Sequence, residues 1–558
     1  MDALQTQHAA AAASPAARRL RGGGGAGHAA PGRVELGRPR RGGSARDVLR
    51  VSGLSRFSGQ AVGHGGSKNS REMEDVGAVR LFVGLPINSV TDGAAVNSAR
   101  GVEAGIRAVK LLGVDGVELQ VFWSVVQPES PDKFSWAGYR AVADMARDEG
   151  LSLRVSLRIH GSPGGNVPKL PSWVGAAAAK DGDILFTDGS GGRHEDCLSF
   201  AVDELPVLSG MSPLQRYEAF FRSFVDAFDD LFESTITVRD QTSKPIHVAI
   251  FGMHFITKTN LETVDGVQDV TVGLGPNGEL RYPSYPPGSD ANSFIGVGEF
   301  QCYDKYMLAQ LKQHAEALGN PMWGLSGPHD TPGYHESPDS RDFFRDHGSW
   351  DSPYGDFFLS WYAGKLLSHG DRVLGMASRV FGSKPVELSA KVPFMHWWHG
   401  AKSRPAEAVA GFYKSNKKNG YSPVAKVFAQ HGCTMVVPGM DVCMNKQQRN
   451  TGSSPDKLMV QIKNACRRHG TRIAGENASL VMTHTSSFSR IKSNIVTAER
   501  MRPSFFTYRR MGAEFFSPEH WPPFMEFVRS VVCGEWDEDD EMAAAVSSYA
   551  KDGVAQAV

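Results

Sequence analysis

Two glutamates have neighbours that suit chemistry. Glu279 stands in Gly273-Leu-Gly-Pro-Asn-Gly-Glu-Leu-Arg-Tyr-Pro-Ser-Tyr-Pro286, where Pro276-Asn277-Gly278 signals a turn and Arg281 and two tyrosines flank the carboxylate. Glu476 stands in Ala474-Gly-Glu-Asn-Ala478. A carboxylic acid and a carboxylate facing each other across a sugar-sized gap can invert a glycosidic centre. The acid protonates the leaving oxygen while the base activates a water on the opposite face. Taken alone, each glutamate reads first as a surface charge. Lys391, His396-Trp397-Trp398 and Arg510 add fixed cations and indole faces, which suit hydrogen bonding and stacking on pyranose rings. Tryptophans also pack cores and cations also form ion pairs. His160 reads either as a ligand-facing donor or as a satisfied core histidine.

These side chains need elements that bring them together. Eight short apolar runs read as strands: Leu81–Ile87, Val114–Trp123, Leu151–His160, Ile246–His254, Lys391–Trp398, Cys433–Met440, Arg472–Ala478 and Phe505–Met511. Runs such as Val248-Ala-Ile-Phe-Gly-Met253 lack a polar face, as parallel strands covered on both sides do. Helices lie between them. Ser-Pro pairs at 212–213, 352–353, 454–455 and 517–518 suit helix starts, and Phe220, Phe221, Phe224, Ala227, Phe228 and Leu231 form one helical face. The expected fold is α/β, a (β/α)8 TIM barrel, with an open doubly wound sheet as the alternative. In a barrel, chemistry sits at the C-terminal ends of the strands. Glu279 then follows strand four, His160 ends strand three, Lys391 begins strand five, Glu476 ends strand seven and Arg510 ends strand eight. Insertions over about residues 161–210 and 255–350 should form a lobe over the barrel mouth.

Composition excludes other classes. The chain has 558 residues, 41% hydrophobic and 22% charged, and its 60 basic residues balance 60 acidic ones. No net charge draws it to nucleic acid or anionic lipid. No apolar run approaches the roughly 18 residues of a membrane span. Residues 1–45 carry seven arginines, no lysine and two acids among alanine and glycine. That composition cannot offset chain entropy by burial, and it suits an organelle transit peptide; a plain flexible tail or a nucleic-acid-binding arm are the alternatives. The domain reading is therefore a leader over 1–75, the barrel over 76–530 and an acidic tail over 531–558, which includes Glu535–Glu541. Six cysteines without a CxxC pair read as free thiols, with redox control at Cys433 or Cys443 as the lesser alternative. Without an HExxH motif or a phosphate-cradling glycine loop, no metal and no cofactor are expected.

Several motifs together carry a resemblance. Leu81-Phe-Val-Gly-Leu-Pro86, Val114-Asp-Gly-Val117, Gly164-Gly-Asn-Val167 and Pro171-Ser-Trp-Val174 come first, followed by Gly278-Glu-Leu-Arg-Tyr-Pro-Ser-Tyr-Pro286 and Gly298-Glu-Phe-Gln-Cys-Tyr-Asp-Lys305. Phe357-Phe-Leu-Ser-Trp-Tyr362, His396-Trp-Trp398 and Gly475-Glu-Asn-Ala478 complete the order. Over about residues 80–530 the chain resembles the plant β-amylases, inverting α-1,4-glucan hydrolases that release maltose from non-reducing ends. The resemblance implies Glu279 as general acid and Glu476 as general base. It places His160, Gln120, Lys391, His396, Trp397, Asn477 and Arg510 on substrate-binding positions, and an α-1,4-glucan or maltodextrin in the site. The leader fits the family's plastid members, hence a chloroplast stroma location.

Four departures from the family's pattern surround the two glutamates. Gln120 replaces an aspartate at the end of strand two, offering one neutral acceptor in place of a charged carboxylate. Val167 runs through Pro168-Lys169-Leu170 into Pro171, which shortens a mobile outer loop and removes its aspartate. Val437-Pro438-Gly439-Met440-Asp441-Val442 stands where an inner loop carries a serviceable threonine, and Ser479 replaces a leucine wedge. A lid excludes water and completes a catalytic arrangement. The expectation is a catalytically impaired or inactive member, acting as a glucan sensor or as a regulatory partner of an active starch-degrading enzyme. An active β-amylase is the alternative.

Overall fold

The structure is a computed structural model that describes residues 79–161, 169–232, 266–285, 297–413, 419–442, 452–478, 485–496 and 501–533, with backbone strands at Thr235–Arg239, Pro245–Ala249 and Leu261–Thr263. The leader, the acidic tail, Gly164–Val167, Cys443 and Ser479 lie outside the described residues.

Parallel pairing needs extended runs covered on both faces, and eight runs of this chain meet that need. They are β1 (Arg80–Gly84), β2 (Gly116–Phe122), β3 (Ser152–Arg158), β4 (Val267–Val272), β5 (Glu387–Lys391), β6 (Thr434–Val437), β7 (Ile473–Glu476) and β8 (Phe505–Tyr508). They close into an all-parallel barrel in sequence order, β8 returning to β1 with Val83 opposite Tyr508. The helices that follow the strands are α1 (Ala99–Leu112), α2 (Ala137–Asp148), α3 (Pro213–Ala227), α4 (Pro353–Phe381), α5 (Tyr421–Gln430), α6 (Pro455–His469), α7 (Thr485–Val496) and α8 (Trp521–Cys533). The (β/α)8 expectation holds. Two of the Ser-Pro starts act as read: Ser212 caps α3 in a reciprocal capping box with Gln215, and Ser352 accepts from the Gly355 N–H at 3.1 Å to cap α4. At Ser454 no side-chain cap bond forms, and Ser517-Pro518 precedes α8 by one turn.

Strand four differs from the sequence reading. Pro245–Ala249, which overlaps the first part of the expected run Ile246–His254, pairs antiparallel with Thr235–Arg239 in a three-stranded sheet that also holds Leu261–Thr263. The barrel's fourth strand is Val-Gln-Asp-Val-Thr-Val at 267–272. Apolar continuity selects the wrong segment because the barrel interior here wants the polar side chains of Asp269 and Thr271. Strand five also shifts. Lys391 ends it instead of beginning it, and His396–Trp398 fall in the loop beyond Pro393, which has no N–H to extend the ladder.

The insertions after β3 and β4 pack on one another. The first holds a helix at Ser172–Lys180 and an antiparallel strand pair at Leu185–Thr187 and Arg193–Leu198. The second starts directly after β4, at residue 273 rather than near 255, and holds a helix at Lys305–Ala317 capped by Asp304. Tyr303 N–H donates to the Thr187 carbonyl at 3.1 Å, and the Ser199 hydroxyl to Asp304 at 3.0 Å, joining the two.

Inside the barrel the strands alternate. Ser152, Arg154, Ser156 and Arg158 occupy one face of β3, and all are buried. Arg154 lies 3.0 Å from Asp269, donates to the Thr507 hydroxyl and stacks over the Phe505 ring at 3.6 Å. The Ser389 hydroxyl donates to Asp269 at 2.8 Å and lies 2.9 Å from the Thr271 hydroxyl. Buried charges of this kind are tolerated only when paired and hydrogen-bonded. This layer lies below the strand ends that carry the site.

Candidate functional site

Glu476 is the last residue of β7 and is fully buried. The Lys391 ammonium, from the end of β5, lies 2.6 Å from its Oε1 and 2.9 Å from its Oε2, and Arg509 Nη1 approaches Oε2 at 3.3 Å. Asn477 fixes that arginine from the backbone: its Nδ2 donates to the Arg509 carbonyl at 2.8 Å, and its Oδ1 accepts from the Arg509 N–H at 2.6 Å. Burial pulls the Lys391 ammonium down to about 8, although Glu118 and Glu476 both act to hold its proton.

Glu279 reaches the same place from the β4 side. The turn at Pro276–Gly278 sends the chain back so that the Leu280 N–H donates to the Lys391 carbonyl at 2.9 Å. Lys391 therefore holds Glu476 through its side chain and the Glu279 segment through its backbone. Arg281 Nε donates to Glu279 Oε2 at 2.7 Å. His369 of α4 braces the segment from behind, with Nε2 at 2.8 Å from the Leu274 carbonyl and Nδ1 at 2.8 Å from Asp203.

A third carboxylate sits beside them. Glu118 of β2 is fully buried, accepts from the Ser156 hydroxyl and lies 3.7 Å from the Lys391 ammonium. Burial alone would raise its pKa, but Lys391, Arg154 and Ser156 hold the carboxyl well below the usual range. Two residues further, Gln120 accepts from Arg158 Nη2 at 3.1 Å through Oε1.

The other expected site residues lie on the loops beyond β3, β5 and β8. The His160 ring packs edge-on against Tyr217 and Phe200, with centroids 5.9 and 6.4 Å away, and Nε2 lies 3.4 Å from the Tyr217 hydroxyl. Burial, with His369 adding, pulls its pKa to about 3, so the ring is neutral, and Nδ1 is buried without a partner among the described residues. His396 lies 2.8 Å from the Ser453 hydroxyl through Nδ1 and packs on Trp397 with centroids 4.4 Å apart. Arg510 is partly buried at the end of β8, its Cβ close to Gly84 of β1. The inner loop is pinned: the Met440 N–H donates to the Glu476 carbonyl at 3.0 Å, Asp441 accepts from the Ala478 N–H at 2.6 Å, and Asn494 donates to the Met440 carbonyl at 2.8 Å.

Sequence reading overlooked Glu118, Arg158 and Arg509. The signal for the first two was present: Glu118-Leu-Gln120 and Ser152-Leu-Arg-Val-Ser-Leu-Arg158 put a polar residue at every second position of strands that are buried on both faces. Arg509 had no such signal beside Arg510. Among the described residues no group of three or more His, Cys, Asp or Glu could hold a metal, and no helix is long and apolar enough to cross a membrane. Cys197, Cys302, Cys433 and Cys466 are free and buried.

The comparisons with known proteins agree with this geometry. The family model described as glycosyl hydrolase family 14 matches residues 82–246 and 256–535. The chain is 43% identical over 478 residues to inactive β-amylase 9 of Arabidopsis thaliana, covering 86% of this chain and 82% of that one. It is 36% identical over 481 residues to chloroplastic β-amylase 2 of Oryza sativa subsp. japonica, covering 84% and 81%. The catalytic domain of the β-amylase from Paenibacillus polymyxa shares the fold, with a TM-score of 0.61 at 22% identity over 81% of this chain and 98% of that one. Matched along nearly the whole barrel and built on the same parallel eight-stranded plan, the chain belongs to glycosyl hydrolase family 14.

Proposed function

We propose that this chain is a β-amylase-like protein of plastid starch metabolism that binds an α-1,4-glucan but releases little or no maltose, acting as a glucan sensor or as a regulator of active starch hydrolases. The observation that carries this reading is the state of Glu476. A general base must meet a water and take its proton. This carboxylate has no exposed surface and is held by both Lys391 and Arg509. The pinned inner loop and the shortened outer loop add to the loss of closure. A positioned acid–base pair contributes about 10²–10⁴-fold, and each lost positioning element costs on the order of 100-fold. Two such losses bring turnover near background. The name of the Arabidopsis thaliana relative supports the same reading.

The active reading rests on a specific observation of its own: Glu279 and Glu476 are both retained, and both adjoin Lys391. One assay separates the two. Full-length purified chain is incubated with soluble starch and with maltodextrin, maltose is measured, and glucan binding is read by calorimetry. We expect binding with maltose release at background. Robust release that Glu279→Gln and Glu476→Gln each abolish overturns the proposal. The plastid location is supported by the arginine-rich leader and by chloroplastic relatives. A fluorescent fusion of the full chain that stays in the cytosol overturns it.

A further inference from the structure

We propose that the sugar held by this site is anionic: Arg158 and Gln120 form an oxyanion-binding edge that takes a saccharide carrying a phosphate ester. The proposal rests on the glucan-binding reading above and refines the class of its ligand.

Charge pairing comes first. Four buried carboxylates in and below the site each have a cation at hand. Arg154 serves Asp269 at 3.0 Å, Lys391 serves Glu118 at 3.7 Å and Glu476 at 2.6 Å, and Arg281 serves Glu279 at 2.7 Å. Arg509 is a second cation on Glu476, at 3.3 Å. Arg158, only 5% exposed, differs from all of these. Its hydrogen bond is to the uncharged Oε1 of Gln120, while Nε and Nη1 are buried with no partner among the described residues. A buried cation whose polar atoms go unsatisfied is costly, and native structures rarely keep one without a ligand, ion or water to meet it.

On Arg158 and Gln120 the orphaned atoms share a sign, whereas Glu118 Oε2, two residues away on β2, is a buried acceptor that also lacks a partner among the described residues. Gln120 Oε1 accepts from Arg158, and its Nε2 is a buried donor without an acceptor among the described residues. Arg158 Nε, Arg158 Nη1 and Gln120 Nε2 are all donors, and a guanidinium beside an amide N–H offers oxyanion oxygens charge-assisted hydrogen bonds. A hydroxyl-only sugar would bring its own donors to this edge as well. Gly278 shows that the chain makes room there. It has φ +74°, and a Cβ on it would come within 2.2 Å of Arg158 Nη1. The guanidinium therefore lies against the turn that delivers Glu279. Burial first, then Arg509, lowers Arg158 to about 10 against the pull of Glu118, Glu476 and Glu279, which leaves it charged at neutral pH. Of the groups named here five cations face four carboxylates, and a phosphate ester, with about −1.5 to −2 charge at neutral pH, meets that positive excess.

Calorimetry on the full chain tests this with glucose, glucose 6-phosphate, inorganic phosphate, neutral maltodextrin and 6-phosphorylated maltodextrin. We expect each phosphorylated saccharide to bind at least 10-fold more tightly than its neutral counterpart, and Arg158→Gln to erase that preference. Gln120→Glu supplies a second variant: it satisfies the guanidinium internally, keeps the charge buried as a pair, and should also erase the preference with the unfolding midpoint retained. Equal binding of neutral and phosphorylated maltodextrin overturns the proposal and leaves the glucan reading standing. Binding of glucose 6-phosphate without binding of either maltodextrin supports the oxyanion edge and overturns the glucan reading. Inorganic phosphate binding as tightly as glucose 6-phosphate overturns the assignment to a saccharide. Neutral maltodextrin binding that appears only in Arg158→Gln also overturns it, because Arg158 would then be an internal plug.

Discussion

Lys391 stands between two carboxylates that come from opposite sides of the barrel, 2.6 Å from Glu476 of β7 and 3.7 Å from Glu118 of β2, with all three side chains at most 2% exposed. One ammonium thus neutralises two acids, and its own backbone carbonyl receives the segment that follows Glu279. The site is a cross-braced charge network.

Removing the brace exposes its cost. Lys391→Met should destabilise the fold by about 3–5 kcal/mol, since it leaves buried carboxylates uncompensated. Urea denaturation measures this. Adding Glu476→Gln should recover about 1–3 kcal/mol of that loss in a double-mutant cycle, because the two residues touch. Strict additivity would show that the pair is not coupled.

The turn before Glu279 is sterically committed. Gly278→Ala combines a left-handed φ with a Cβ driven into Arg158, and about 2–4 kcal/mol of stability should be lost. With Arg158→Ala present, the same substitution should cost only about 1–2 kcal/mol, the backbone part alone. Thermal unfolding of the four proteins reads the difference.

Glu299 links stability to pH. Burial first, then Asp188, raises its carboxyl to about 7, even though the Tyr334 N–H donates to it at 3.1 Å. The folded state therefore holds a proton between about pH 4.5 and 7 that the unfolded chain has released. Stability is full below that window and falls as pH rises through it. Glu299→Gln should flatten the slope by on the order of 1–3 kcal/mol in urea titrations across this range. An unchanged slope would place the proton elsewhere.

A simpler test concerns α3. Ser212→Ala removes the hydroxyl that accepts from the Gln215 N–H and leaves only the backbone half of the capping box, at an expected cost of about 0.5–2 kcal/mol in the same measurement.

The thiols should be silent in the native chain. Burial pushes Cys197, Cys302 and Cys433 well above the ordinary thiol range and Cys466 up to about 12. Ellman's reagent should then label at most the remaining two of the six cysteines, Cys443 and Cys533, until denaturant is added. Native labelling of Cys433 would revive redox control near the inner loop.

The barrel class, six of its eight strands and the two glutamates were legible in sequence, because apolar runs, turn residues and Ser-Pro starts are local signals with local causes. The order of motifs along the chain also carried the family. Three matters were settled only by the closed tertiary structure. Strand four is a polar-centred segment, since closure decides which side chains face the barrel axis and an apolar run cannot show that it pairs elsewhere. His160, just beyond β3, packs against aromatic rings because Tyr217 of α3 and Phe200 of the first insertion meet it. Above all, Glu118, Arg158 and Arg509 are strangers in sequence that burial in one small volume forces to be read together. Charge pairing across a barrel depends on shear and register between distant strands, and no local spacing encodes it.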